Sequence, residues 1–155
     1  MKEHKEIFPV TRLEEKSGYL LYQVNMLWQR KVNQGLKSLD LTHTQFIVLA
    51  STAWMGKEGE RVHLSDISTF AHFDRMMTSR LTDKLSERNL LKKIPGKQNA
   101  KIREIKLTPT GIELLKKAIQ KMLEMEKEFY GPLGEHHQEL NKNLEKLLIA
   151  NRDKT

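Results

Sequence analysis

Over most of this chain the apolar residues recur with a helical period. Leu20, Leu21, Val24, Leu27, Trp28 and Val32 fall at steps of three and four, which predicts a long amphipathic helix ending between Gly35 and Asp40. Thr11-Arg12-Leu13-Glu14 has capping-box spacing ahead of it, and Pro9 keeps the opening dozen residues out of helix, as an arm. Thr42-His43-Thr44-Gln45 repeats the capping-box spacing. Phe46, Ile47, Val48, Leu49, Ala50, Ala53 and Trp54 then cover nearly every direction of a second helix, which predicts a buried, central element. Met55-Gly56 and Gly59 end it, and Val62-His63 reads as a short strand. Ser65-Asp66 opens a short third helix, with Asp66 placed to complement the helix dipole and Ile67, Phe70 and Ala71 as its buried stripe. It stops around His72-Phe73.

Asp74 is a favourable N-cap for a fourth helix, in which Met77, Thr78, Leu81 and Leu85 turn inward. Asn89 tolerates the left-handed conformation that ends a helix. The period then changes. Leu90 to Ile94 reads as one strand, Gly96 to Lys101 as a loop, and Glu104-Ile105-Lys106-Leu107 alternates polar and apolar as a second, half-exposed strand. Thr108-Pro109 starts a fifth helix with proline at its first position, and Ile112, Leu115, Ile119, Met122 and Phe129 form its stripe. Gly131-Pro132-Leu133-Gly134 breaks the chain before a last amphipathic helix carrying Leu140, Leu144, Leu147 and Leu148. With 155 residues and no internal repeat or linker, one domain spans 1–155.

A short helix, a tight turn and a capped second helix make a helix-turn-helix, and the hairpin after it makes the unit winged. Such a unit sets its second helix in the DNA major groove and its hairpin against the adjacent backbone or minor groove. The distribution of charge fits that use. The chain carries a net +7, and residues 88 to 106 hold seven cationic side chains against Glu104 alone, so +6 of the excess lies in this stretch. One-signed charge on a projecting hairpin suits a polyanion. On the reading helix, Arg75 reaches guanine O6 and N7, Met76 a thymine methyl, and Ser79 a donor or acceptor edge; Asp74 accepts from cytosine more weakly. Arg80, half a turn further on, serves a phosphate, an internal carboxylate or a base. Thr78, although turned inward, is counted with Asp74, Arg75, Met76, Ser79 and Arg80 in the DNA-binding set. In the wing the candidates are Lys97, Gln98, Asn99, Lys101 and Arg103.

Composition narrows the alternatives. There is no cysteine, which removes disulfide scaffolds, thiolate metal sites and thiol catalysis. No apolar run approaches the ~20 residues of a bilayer span, and the charged Met1 to Glu6 stretch has no apolar signal core, so the expected location is the cytoplasm. A glycine-rich phosphate loop, a His-Glu-x-x-His metal motif and a nucleophile elbow are all missing, so the expectation is no enzyme and no cofactor. Glu135-His136-His137 with Glu139 is the densest histidine cluster, but adjacent helical side chains diverge by about 100°, so no metal site is assigned. His63 and His72 flank the third helix, close to where DNA would lie.

Several segments share a further likeness. Leu41-Thr42-His43-Thr44-Gln45-Phe46-Ile47-Val48-Leu49, Leu64-Ser65-Asp66-Ile67, Met77 to Leu85 followed by Asn89-Leu90-Leu91, and Leu107-Thr108-Pro109-Thr110-Gly111 stand in one order and spacing. Together they resemble the MarR family of winged-helix bacterial transcriptional regulators, from about Leu41 to Gly111, with compatible flanking helices. Asn89 stands where the family usually has glycine. Counting back from Leu107, Asn99, Ala100 and Lys101 occupy the family's aspartate–arginine–arginine wing tip, so Lys101 or Arg103 would replace the wing arginine. The resemblance implies a mainly α fold with a small β-wing. Its DNA-binding lobe would be 41–107, and helices of a dimerisation lobe would be 11–38 and 109–151.

The resemblance further implies a homodimer on a palindromic operator, most often a repressor relieved by a small aromatic molecule. The long stripes on the first and last helices agree, since a chain of this size cannot cover them alone. Tyr19, Tyr22, Trp28, Phe46 and Trp54 are the candidates for lining such an effector's cleft. Without cysteine, a thiol-based peroxide sensor is not expected. The rival reading is a winged-helix module for RNA or protein, which needs no dimerising helices.

Overall fold

The computed structural model describes residues 12–96 and 103–152. Its helices are α1 (Ser17–Leu36), α2 (His43–Met55), α3 (Leu64–Ala71), α4 (Arg75–Glu87), α5 (Pro109–Tyr130) and α6 (His137–Arg152). The strands β1 (Leu91–Pro95) and β2 (Arg103–Leu107) pair antiparallel, with Leu91 opposite Leu107 and Pro95 opposite Arg103. The fold is therefore mainly α with one small hairpin.

Three helix starts follow from local chemistry. Thr42 Oγ1 accepts from the Gln45 amide at 3.2 Å while Gln45 Oε1 accepts from the Thr42 amide at 3.0 Å, a complete capping box at α2. The Asp74 carboxylate accepts from the Met77 amide at 2.7 Å at α4, and the Thr108 hydroxyl accepts from the Gly111 amide at 2.9 Å at α5. Each cap satisfies an amide that lacks an intrahelical partner. At the other end of α4, Asn89 takes the left-handed conformation, with φ 56°, in the place where helices commonly end on glycine.

The start of α1 differs from its expectation. Thr11 lies outside the described residues, Leu13–Glu15 form a 3-10 turn, and α1 begins at Ser17 behind an extended Lys16 with no side-chain cap. All residues from Arg12 to Leu27 are exposed, so no packing supports an earlier start. Only the C-terminal half of α1 enters the core, through Val32 and Leu36.

As expected, α2 is central; it packs against α1, α3, α4, α5 and β2. Leu36, Leu49, Ile67, Leu85, Leu91 and Ile105 are fully buried around it. Each such side chain contributes about 1.5–3 kcal/mol through removal from water. Two apolar assignments need correction. Trp54 of α2 is 61% exposed and Phe70 of α3 is 52% exposed, so neither belongs to a closed core. On α5 Leu115 is buried as expected and Met122 and Phe129 are partly covered, but Gly111, Ala118 and Met125 complete the buried line and leave Ile112 and Ile119 exposed. The Val62-His63 strand reduces to an isolated bridge between His63 and Glu104, with the Ile105 amide donating to the Val62 carbonyl at 2.7 Å.

α1 and α5 lie side by side. Trp28 packs on Phe129 and Tyr130 at ring separations of 5.2 and 5.7 Å. Lys31 Nζ donates to Glu128 at 2.7 Å and holds that carboxyl below its usual range. Nothing on α6 is buried, although it carries Leu147, Leu148 and Ile149.

Candidate nucleic-acid interface

The turn between α3 and α4 is built from its own residues. His72 adopts the left-handed conformation with φ 52°, the Phe73 amide donates to the Ser68 carbonyl at 3.1 Å, and the Ser68 hydroxyl donates to the Phe73 carbonyl at 2.7 Å. These bonds fix the angle at which α4 leaves α3. The exit of α4 is held from two sides. Thr108 donates from its hydroxyl to the Asn89 carbonyl at 2.6 Å and from its amide to the Leu90 carbonyl at 3.1 Å. Arg88 donates to the Asp40 carbonyl at 2.6 Å, with the Asp40 carboxylate 3.5 Å away. The helix is thus tied to α3 at its start and, at its exit, to the cap of α5 and to Asp40 beyond α1.

Its outer face is exposed. Arg75 and Arg80 are solvent-facing, and Met76 is 84% exposed. Met76, Ser79, Arg80, Asp83, Lys84 and Glu87 line a shallow groove along the helix. Asp74 sits at the tip with one carboxylate oxygen committed to its cap. Ser79 is half-buried and its hydroxyl faces Asp83 at 3.5 Å. Thr78 must be removed from the DNA-facing set: it is fully buried and its hydroxyl donates to the Asp74 carbonyl at 2.9 Å. Lys84, four residues beyond Arg80 and so on the same helix face, lines this groove as well.

In the wing, Lys97, Gln98, Asn99 and Lys101 lie outside the described residues. Arg103, the first residue of β2, is exposed. The basic segment is less uniformly free than its net charge implied. Arg88 is turned to Asp40, Lys93 to Asp83, and Lys106 to Glu104 at 2.9 Å. Lys92 and Lys106 are exposed and stand directly opposite each other across the hairpin. Like charges so placed repel, and the Glu104 carboxylate beside Lys106 offsets part of that repulsion.

A regulator of DNA is what these elements are arranged to be, and comparison with known proteins supports that. No model of a protein family matches the chain. It is 30% identical to the HTH-type transcriptional regulator YdcH of Bacillus subtilis over 113 residues, which cover 73% of this chain and 77% of that protein. It is 29% identical to the multiple antibiotic resistance protein MarR of Salmonella typhimurium over 127 residues, 82% of this chain and 78% of that one. This chain belongs to the MarR family.

MarR-family structures share its fold. The complex of S. aureus MepR with DNA superposes with a TM-score of 0.77 at 24% identity, covering 87% of this chain and 98% of that one. CouR of Rhodococcus jostii, bound to p-coumaroyl-CoA, superposes with a TM-score of 0.77 at 20% identity, covering 90% and 94%. This MarR-family chain is thus a winged-helix, DNA-binding transcriptional regulator, with β1–β2 as its wing. The relatives are regulators and not enzymes.

The five aromatic candidates for an effector cleft do not come together within one chain. Phe46 and Trp54 share a recess of about 450 Å³ with Ile47, Ala50, Phe70 and Ile119, where Lys57 Nζ lies 4.0 Å from the Trp54 ring centre. Trp28 is instead packed with Phe129 and Tyr130. Tyr19 and Tyr22 lie on the exposed part of α1. The helical period places aromatics on a face but does not say which neighbour covers it.

The histidine cluster also disperses: His136 is 3.6 Å from Glu139, while His137 stacks on Tyr130 at 4.9 Å. Among the described residues no three of His, Asp or Glu converge on a common point that could hold a metal. His63 donates its amide to Asp66 at 2.7 Å, and its ring is 3.4 Å from the Arg103 carbonyl, beside the wing. Among the described residues no helix is long and apolar enough to cross a membrane.

Proposed function

We propose that this chain is a homodimeric repressor, working in the bacterial cytoplasm, that reads a palindromic operator and is released by a small aromatic effector. The observation that carries the reading is the exposed first turns of α4, with Arg75, Met76 and Arg80, on a helix fixed at both ends beside a cationic hairpin. Arg75 reads guanine O6 and N7, and Met76 contacts a thymine methyl. Asp74, Ser79 and Arg80 complete that face. Lys97, Gln98, Asn99, Lys101 and Arg103 hold the flanking backbone from the wing.

Residues 41–107 form the reading lobe. The segments 11–38 and 109–151 form the dimerisation lobe, in which the uncovered apolar residues of α1 and α6 meet their copies. A twofold dimer then sets two α4 helices about 34–36 Å apart, in successive major grooves. The recess walled by Phe46, Trp54, Phe70 and Ile119, with the Lys57 ammonium at its edge, supports an aromatic effector, preferably an anionic one.

The test replaces Lys97, Lys101 and Arg103 together by alanine and measures DNA affinity against salt. Removing one cation from a phosphate flattens the logarithmic salt slope by about 0.9. A slope equal to that of the unaltered protein overturns the wing assignment. A protein of single-chain mass in solution overturns the dimer.

A further inference from the structure

Not every lysine of the basic segment points outward. Along β1 the strand alternation puts Leu91 and Lys93 on one face and Lys92 on the other. Leu91 is fully buried, so Lys93 is directed inward too; its side chain is only 13% exposed, and its ammonium emerges against the Asp83 carboxylate of α4. Asp83 is half-exposed and belongs to the DNA-facing groove beside Arg80 and Lys84. Among the described residues, the other side of that carboxylate meets only the Ser79 hydroxyl, at 3.5 Å.

The groove-facing helix by itself has no charge to offer DNA. Arg75, Arg80 and Lys84 are balanced by Asp74, Asp83 and Glu87. A bare carboxylate in the middle of that face would stand among phosphates, where like charge weakens binding. We infer that Lys93 is a positioning residue of the DNA site: it masks the Asp83 carboxylate and ties the wing strand to the recognition helix, without itself touching DNA. Two features support this over a direct bond to phosphate. The stem of Lys93 is covered, so its ammonium has little freedom to leave Asp83. Lys92, exposed on the opposite face of the strand, is free to meet a phosphate instead. The inference rests on the DNA-binding reading and adds to it a residue outside the set that touches DNA.

The variants Lys93→Met, Lys93→Arg, Asp83→Asn and the double variant Lys93→Met/Asp83→Asn test it. The readout is affinity and salt slope on a 30-bp mixed-sequence duplex and on a duplex selected by the unaltered protein from a random pool. Circular dichroism is recorded for each variant. Lys93→Met should weaken binding of the selected duplex by about tenfold, because a carboxylate is left unmasked. Lys93→Arg and the double variant should recover most of that loss, and the salt slope should stay the same in all four, since no counterion is released through Lys93. A slope lowered by about 0.9 in both variants lacking Lys93 makes it a phosphate ligand and overturns the inference. So does a double variant as weak as Lys93→Met, or a Lys93→Met as strong as the unaltered protein. If the unaltered protein binds neither duplex, the DNA reading itself falls; the outcomes above leave that reading standing.

Discussion

Replacing Gly111 by alanine tests the join between the exit of α4 and the start of α5. A Cβ built on Gly111 would lie 2.0 Å from the Leu90 carbonyl oxygen, 2.9 Å from its carbon and 3.2 Å from the Leu90 Cα. All three are backbone atoms, so no rotamer change relieves the clash. Carbon and oxygen need more than about 3 Å, so the first turn of α5 must move away from Leu90 by about 1 Å or more. That movement pulls on the Thr108 amide bond to Leu90, at 3.1 Å, and on the Thr108 hydroxyl bond to Asn89, at 2.6 Å. Alanine gains up to about 1 kcal/mol over glycine inside a helix. Overpacking against rigid surroundings costs about 1–3 kcal/mol, and strained buried hydrogen bonds add about 1 kcal/mol each.

The balance is a net loss of about 2–4 kcal/mol, or a fall in Tm of about 4–16 °C for a chain of this size. The assay is thermal unfolding followed by circular dichroism at one fixed protein concentration, because a dimer's Tm depends on it. Gly18→Ala is the control, since among the described residues nothing lies within 4 Å of its added Cβ in the first turn of α1; it should leave Tm unchanged or slightly raised. If Gly111→Ala behaves like Gly18→Ala, the close approach of α5 to Leu90 does not hold.

Three further outcomes are expected. Arg75→Ala should lose about 1–3 kcal/mol of discrimination at one operator position while binding to mixed-sequence DNA stays nearly constant, as read by competition binding; equal loss on both makes Arg75 a backbone ligand. Leu147→Glu together with Leu148→Glu should yield single-chain mass in analytical ultracentrifugation with helical content retained, since both residues are exposed in the single chain and only a partner would cover them; a persistent dimer excludes α6 from the interface. Burial lowers the His43 pKa below 6.5, and its ring is held at 2.6 Å from Gln29 Oε1. The unfolded chain therefore binds the proton more readily than the folded one, and the stability that His43 provides is present above pH 6.5 and lost as pH falls from there through the lowered folded-state pKa. Urea unfolding across this range should show a shallower loss in His43→Gln; an identical profile removes His43 as the cause.

Features that act over a few residues are legible along the chain alone. The caps at Thr42, Asp74 and Thr108, the left-handed exit at Asn89 and the break at Gly131 to Gly134 are all formed, because each joins atoms no more than about one turn apart. With the hairpin after α4, those signals were enough to show a winged helix-turn-helix and its outward residues Arg75 and Met76. The tertiary structure decided which apolar side chains are covered and which charges are free. Phe70 and Trp54 satisfy a helical stripe yet stand open, because the period names a face and not its neighbour. Thr78 has a hydroxyl suited to a base edge, yet the packing of α4 buries it on the Asp74 carbonyl. Arg88 and Lys93 added to a one-signed total along the chain, but they are paired with Asp40 and Asp83, 48 and 10 residues away. Charge can be summed along a sequence, whereas whether a charge is available to DNA depends on what the fold sets beside it.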